Sequence, residues 1–188
     1  EDGVSVDDLV LTGENMRVEG TIEFDREGGL TALSLPVLQL PNGTQLSVTG
    51  RGEGNARVFS VKGKQIDLRP ILSDMKAVAA SGSGATDSQP MTVEFDVARA
   101  IGRNDAVVRD LIGSVAIGNK GLEKVDLSGI VGSRASLSIS YSDKGPLSVR
   151  SGDAGATIAF AGIYPHMRGG ILAVSADRQP DGALAGGF

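Results

Sequence analysis

Cysteine and tryptophan are absent from the 188-residue chain, and histidine occurs once, as His166. Without cysteine there is no disulfide, no thiolate nucleophile and no cysteine-ligated zinc or iron–sulfur centre. That absence leaves the cellular compartment open. Positive charge is also short: 18 Lys and Arg stand against 23 Asp and Glu, a net charge of -5 with pI near 4.9. The basic residues are scattered, so the field that nucleic-acid binding requires is missing and nucleic acid is excluded as a partner. No apolar run approaches the ~18 residues of a membrane span, and nothing at the start resembles a signal peptide. The chain starts at Glu1 and ends in GALAGGF. The expectation is a piece of a longer protein, with any anchor or targeting signal outside it.

What the chain has in quantity is glycine, 27 residues, set among short stretches of alternating apolar and polar residues. Alternation of period two with glycine at the joints predicts antiparallel strands and turns. In MRVEGTIEF, Met16, Val18, Ile22 and Phe24 fall on one face and Arg17, Glu19, Thr21 and Glu23 on the other. LSLPV places Leu33, Leu35 and Val37 together, and QLSVTG, RVFSVKG, MTVEFDV, SVAIG, KVDLSG, SLSISYS and PLSVRSG repeat the habit. The expected class is mainly β, a β-rich α+β fold.

The chain also resembles itself. Residues 4–13 align with 93–102, 20–24 with 113–117, 29–35 with 121–127, 46–48 with 137–139 and 59–63 with 147–151. Five segments recur in one order at nearly constant offset, which is how a structural repeat reads. Each series ends in a helix-like segment. In QIDLRPILSDM, Asp67 can cap while Leu68, Ile71, Leu72 and Met75 share a face, with Pro70 in the tolerant first turn. In SGDAGATIAFAGI, Asp153 takes the cap and Gly162 can close the end. The predicted organisation is therefore a β-repeat over 1–75, a small-residue linker or loop over 76–90, and a second β-repeat over 91–188 with its helix and the start of a further strand, together a curved, trough-like sheet.

Segments that could carry chemistry lack partners. YPHMRGG at 164–170 holds His166, but no second histidine, cysteine or G-x-S-x-G elbow accompanies it. It reads as a joint in which Pro165 and the glycine pair turn the chain and Tyr164 and Met167 pack beneath. GSGATDS at 82–88 lacks the Lys-Ser/Thr pair of a phosphate loop. Asp7 and Asp8, and Asp25 and Glu27 of the DRE turn, have no converging carboxylates. RNDAVVRD at 103–110 reads as a solvated turn and strand. The expectation is a protein without catalytic residues, metal or cofactor.

One oily sheet face must be covered by another sheet, by helices or by a ligand, and two short helices offer few large side chains. The pattern leaves two outcomes open, a groove with an apolar floor or a sandwich with a dry core.

The run LSVRSGDAGATIAFAGIYPHMRGGILAVSA, with its acid-capped helix, A-G-I-Y joint and R-G-G before a strand, resembles the AsmA-like proteins of Gram-negative bacteria, in particular their YhdP-type C-terminal region. VDLSGIVGSRASLSISYSD at 125–143 is similar to the strand pair before that joint, and the likeness extends over about 91–176. The resemblance implies a periplasmic bridge-like lipid transfer protein held to the inner membrane by an anchor outside this piece. Its apolar β-groove would carry phospholipid towards the outer membrane in outer-membrane biogenesis. Partners would be acyl chains and neighbouring repeats of the same chain. Groove candidates are Ile22, Phe24, Leu33, Leu35, Leu46, Val48, Phe59, Val61, Phe95, Val115, Ile117, Val125, Leu127, Leu137, Ile139, Leu147 and Val149. A non-enzymatic structural or protein-interaction β-repeat module of the cell envelope is the competing expectation.

Overall fold

Alternating strands joined by tight turns pair with their neighbours in sequence, and in the computed structural model of the protein they do so throughout. Residues 3–53, 56–73, 89–119, 121–143, 145–178 and 184–187 are described. They build one open, curved sheet of twelve strands ordered as in the chain. The strands are β1 (Val4–Gly13), β2 (Met16–Phe24), β3 (Leu30–Gln39), β4 (Gln45–Glu53), β5 (Ala56–Asp67), β6 (Met91–Ile101), β7 (Val107–Gly118), β8 (Gly121–Val131), β9 (Ala135–Ser142), β10 (Leu147–Ser151), β11 (Leu172–Arg178) and β12 (Leu184–Gly187). The last of these carries no alternation in the sequence and was not anticipated from it.

Every pair is antiparallel except β5 with β6, which run parallel. A parallel pair requires a crossover, and the connection from 68 to 90 supplies it, beginning with a helical turn at 69–73. The linker expected over 76–90 lies, but for residues 89 and 90, outside the described residues.

Local chemistry sets the turns. Asp25 Oδ1 accepts from the backbone N–H groups of Glu27 (2.9 Å) and Gly29 (2.7 Å), so this acid shapes the β2–β3 turn. In β3 the strict alternation fails at Pro36, which has no N–H to give the ladder. The register with β4 shifts between Leu35 and Leu38. Val37 therefore stands opposite Glu19 on the polar face, and Leu38 takes the apolar place between Val18 and Leu46. The expected grouping of Val37 with Leu33 and Leu35 is corrected accordingly.

The helix α1 (Ala154–Ala161) is capped as its sequence predicts: Asp153 accepts from the Ala156 N–H at 2.9 Å, and Gly162 closes the end at φ 73°. Its first two N–H groups, from Ala154 and Gly155, donate to the carbonyls of Gly170 (2.8 Å) and Gly169 (3.0 Å). Both glycines have left-handed backbone, φ 84° and 62°, a conformation costly for other residues. The R-G-G joint thus folds back to satisfy the helix N-terminus. Because its backbone points inward for that purpose, its side chains point out. Tyr164 and Met167 are exposed, not packed beneath the joint, and Tyr164 meets only the His166 ring edge-on among the described aromatic contacts.

The core lies where α1 and the residue leading into the 69–73 turn cover one end of the apolar face. Val97, Val108 and Val131 are fully buried there, with Leu68, Ala156 and Phe160 packed against them. Phe160 fits because residue 102 is glycine: a Cβ there would lie 2.3 Å from its ring.

Replacing Asp153 with Ala should lower unfolding free energy by about 1 kcal/mol. Gly170→Val should cost about 1–3 kcal/mol through backbone strain. Denaturant titration of each variant measures both.

Candidate functional site

Cross-strand partners share a face, so the register traces what that face presents. One row runs Val6, Ile22, Leu33, Gly50, Phe59, Val93, Val115, Val125, Tyr141, each opposite the next, across nine strands. A second runs Leu35, Val48, Val61, Phe95, Gly113, Leu127, Ile139, Val149, Val174. The parallel joint does not interrupt either row, since Phe59 faces Val93 and Val61 faces Phe95.

The sequence candidates fall on this face. Twelve of them occupy the two rows. Phe24 pairs with Val4 and Leu30, Ile117 with Met91 and Leu122, and Leu147 with Ala176, flanking the rows. Leu46 and Leu137 lie two residues from Val48 and Ile139, hence on the same side. Their environments differ. Leu46, Val61 and Leu137 are buried in the core cluster, whereas the other candidates are half-buried. Residues that the candidate set omitted share the face as well, among them Val6, Val18, Leu38, Val93 and Val174. Val93 was visible in the alternation of MTVEFDV; Leu38 was not, because Pro36 hides the shift.

Glycine lets the rows bend. Gly113 has φ 138°, and a Cβ there would lie 1.9 Å from the Asp126 carbonyl oxygen of β8. Only glycine permits that approach, and such kinks curve a sheet. At Gly50 the ring of Phe59 lies over the position a Cβ would take, at 2.7 Å, covering bare backbone with an apolar plane.

Among the described residues there is a single sheet, so no second sheet closes over these rows. Cover is greatest at the end beneath α1 and reaches the second row, where Val61 is buried and Val48, Phe95, Leu127, Ile139 and Val149 pack against the core; the rest of the rows is half-buried, and β1 is more open, with Val4 65% and Val6 39% exposed. The sandwich with a dry core is not what forms. Beside Val4 and Phe24 lies an open concavity of about 830 Å³, whose remaining lining includes Glu23, Asp25, Arg26 and Glu27. The opposite face is polar: Glu94 faces Ser114, Ser114 faces Asp126, Asp126 faces Ser140, and Ser140 faces Ser148.

One charged network supports the covered end. Asp67, buried, accepts from Arg69 Nε (2.9 Å), Arg69 Nη2 (2.8 Å) and the Arg69 N–H (3.0 Å), while Thr44 Oγ1 accepts from the Asp67 N–H (3.2 Å). Arg69 also reaches Asp105 at 3.3 Å. The guanidinium bonds hold the Asp67 carboxyl below its ordinary range despite the opposing effect of burial, and the same pairing raises Arg69. The network serves the fold: it fixes the start of the crossover. His166 is exposed in its turn, and among the described residues no three His, Asp or Glu side chains gather as metal ligands. No helix among them is long and apolar enough to cross a membrane.

Comparison of the chain with protein-family models, with curated proteins and with solved structures gives no significant match.

A depressed carboxylate contributes stability that is fully present above its unfolded-state pKa and is lost as pH falls through the folded-state value. Below about pH 4 the wild type should therefore lose stability more steeply than Asp67→Asn, which is less stable at neutral pH but has no such group to titrate. Denaturant unfolding between neutral pH and pH 3 reads the two slopes. Gly113→Val should destabilise the sheet by more than about 1 kcal/mol, since backbone and not a flexible side chain must move.

Proposed function

We propose that the apolar face is the floor of a groove that carries phospholipid acyl chains, in a segment of an AsmA-like periplasmic protein anchored to the inner membrane outside this piece. The observation that carries this reading is the pair of apolar rows, unbroken across nine strands each and only partly buried over most of their length. Each acyl CH₂ removed from water is worth about 0.8 kcal/mol. A continuous floor keeps that contribution nearly constant along the path, so a chain can slide without a deep trap, its headgroup remaining in water. No bond is made or broken, and no catalytic residue or cofactor takes part.

The same reading treats the sheet as two units, β1–β5 with the 69–73 turn and β6–β10 with α1. In its support, each of the five aligned sequence pairs falls on matching strands, β1 with β6 through β5 with β10. The units differ at their exits: the first crossover leads to a parallel partner, the second to the antiparallel β11. Further units would extend the floor towards the outer membrane.

A structural or interaction module of the cell envelope is the second reading. It is favoured by β1, a ten-residue edge strand with Val4, Val6, Val10 and Leu11 exposed, since a long open edge is a template for pairing.

Two neighbouring substitutions separate the readings. Val115 belongs to the apolar row and Ser114 to the polar face. Phospholipid that co-purifies with the wild type in native mass spectrometry should be lost in Val115→Asp and kept in Ser114→Asp, with both variants folded by circular dichroism. Equal lipid content in the two, or a wild type that stays empty when offered phospholipid, overturns the groove and favours the module. Leu137→Asp is a poorer test, because Leu137 is only 5% exposed and its charge would break the core.

A further inference from the structure

The segment 162–171 exposes large apolar side chains that no part of the fold needs. Ile163 is 76% exposed, Tyr164 54%, Met167 40% and Ile171 86%. A loop that merely joined α1 to β11 would bury such residues or lack them. Here they are held outward by the backbone. At one end the Gly162 and Ile163 N–H groups donate to the carbonyls of Ala159 and Ile158, each at 3.0 Å. At the other, the carbonyls of Gly169 and Gly170 accept from the helix N-terminus. Turning the side chains inward would break bonds at both ends, so the apolar tip is presented rather than collapsed.

Charge points to the surface it would meet. In a chain of net charge -5, residues 162–171 contain Arg168 and no Asp or Glu. The turn 132–134, against the same helix N-terminus through Gly132 and Asp153, adds exposed Arg134. Arg103, whose side chain lies against Gly162, donates to Ser73 Oγ at 2.7 Å and so ties in the 69–73 turn, where Ile71 is 52% exposed. Of the described carboxylates at this end of the sheet, Asp153 caps α1, Asp67 and Asp105 hold Arg69, Asp110 is exposed on β7, and Glu14 lies in the β1–β2 turn at the far edge. Isoleucine and methionine beside a tyrosine, with arginines around them, match the layering of a bilayer interface: acyl boundary, amphipathic ring, anionic headgroups.

We propose that segment 162–171 is a docking loop for the surface of a bilayer carrying anionic headgroups. The aliphatic side chains enter the headgroup–acyl boundary, Tyr164 sits at the headgroup level, and Arg168 and Arg134 face the phosphates. The loop belongs to one end of the sheet, and docking there leaves the apolar rows where they are. The proposal does not depend on those rows carrying lipid.

Flotation of the 188-residue chain with vesicles of phosphatidylcholine alone, and of phosphatidylcholine with phosphatidylglycerol, tests it. Binding is expected to the anionic vesicles, weakening as salt rises. It should fall by about tenfold or more in the Ile163→Ser, Tyr164→Ser, Ile171→Ser triple variant and by a smaller factor in Arg168→Glu. These side chains lie outside the core, so both variants should keep the wild-type unfolding midpoint. Lipid co-purifying on the apolar rows should be unchanged in the triple variant, whereas Val115→Asp should lose that lipid and keep vesicle binding, so each idea can fail alone. Absence of vesicle binding, binding that ignores the loop substitutions, or a wild-type dimer that the triple variant abolishes would overturn the proposal, the last in favour of a second copy as occupant.

Discussion

Where β5 meets β6 in parallel, Phe59 stands opposite Val93 and Val61 opposite Phe95, and the rest of the sheet depends on that alignment. Side chains alternate faces with a period of two, so a slip of one residue at this joint would send every apolar side chain of β6 to β11 to the polar side. The flanking antiparallel turns are short and hold their own registers, but the crossover from 68 to 90 cannot, being too long to dictate one. Pairing of the apolar side chains across the joint does so instead, together with the Asp67–Arg69–Asp105 network that fixes where the crossover departs.

Once the two halves are in phase, a second constraint follows. The strands gather most of their apolar residues on one side, and among the described residues the elements that cover them are α1 and the helical residues 69–73. Cover is therefore uneven: Val97, Val108, Val131 and Leu137 are buried, while Ile22, Leu33, Val115 and Val125 are only half-buried. Fully burying a residue of this kind contributes about 1.5–3 kcal/mol. Half-exposed, each leaves part of that contribution to whatever comes to lie against the sheet, which is the physical basis for reading the face as a floor. Glycine makes the same face possible from below, since Gly113 permits the close strand approach that curves the sheet and Gly50 accepts the Phe59 ring.

Much of this was legible in the sequence because it rests on local rules. Period two placed β2 to β10 and put Ile22, Val48, Phe95 and Ile139 on a common side, while β1 came from the internal repeat; an acid before a small-residue run and a glycine after it placed α1. What escaped depends on long-range geometry. Pro36 breaks the alternation without announcing that Leu38, and not Val37, resumes it. The glycine pair at 169–170 reads as a turn, but its carbonyls cap a helix fifteen residues earlier, and that inversion is why Tyr164 and Met167 face water. The parallel sense of β5 and β6 leaves no trace in either strand, and whether one sheet or two would form could not be settled by alternation, which is the same in both.

Photocrosslinking in cells is the measurement that decides whether acyl chains travel along the apolar rows, as proposed. A photoactivatable side chain at Val115, in the protein expressed in cells, should form adducts with phospholipid, while the same group at Ser114, one residue away on the polar face, should not. Adducts of equal yield at both positions, or none at Val115 under conditions where the protein is functional, would contradict the account.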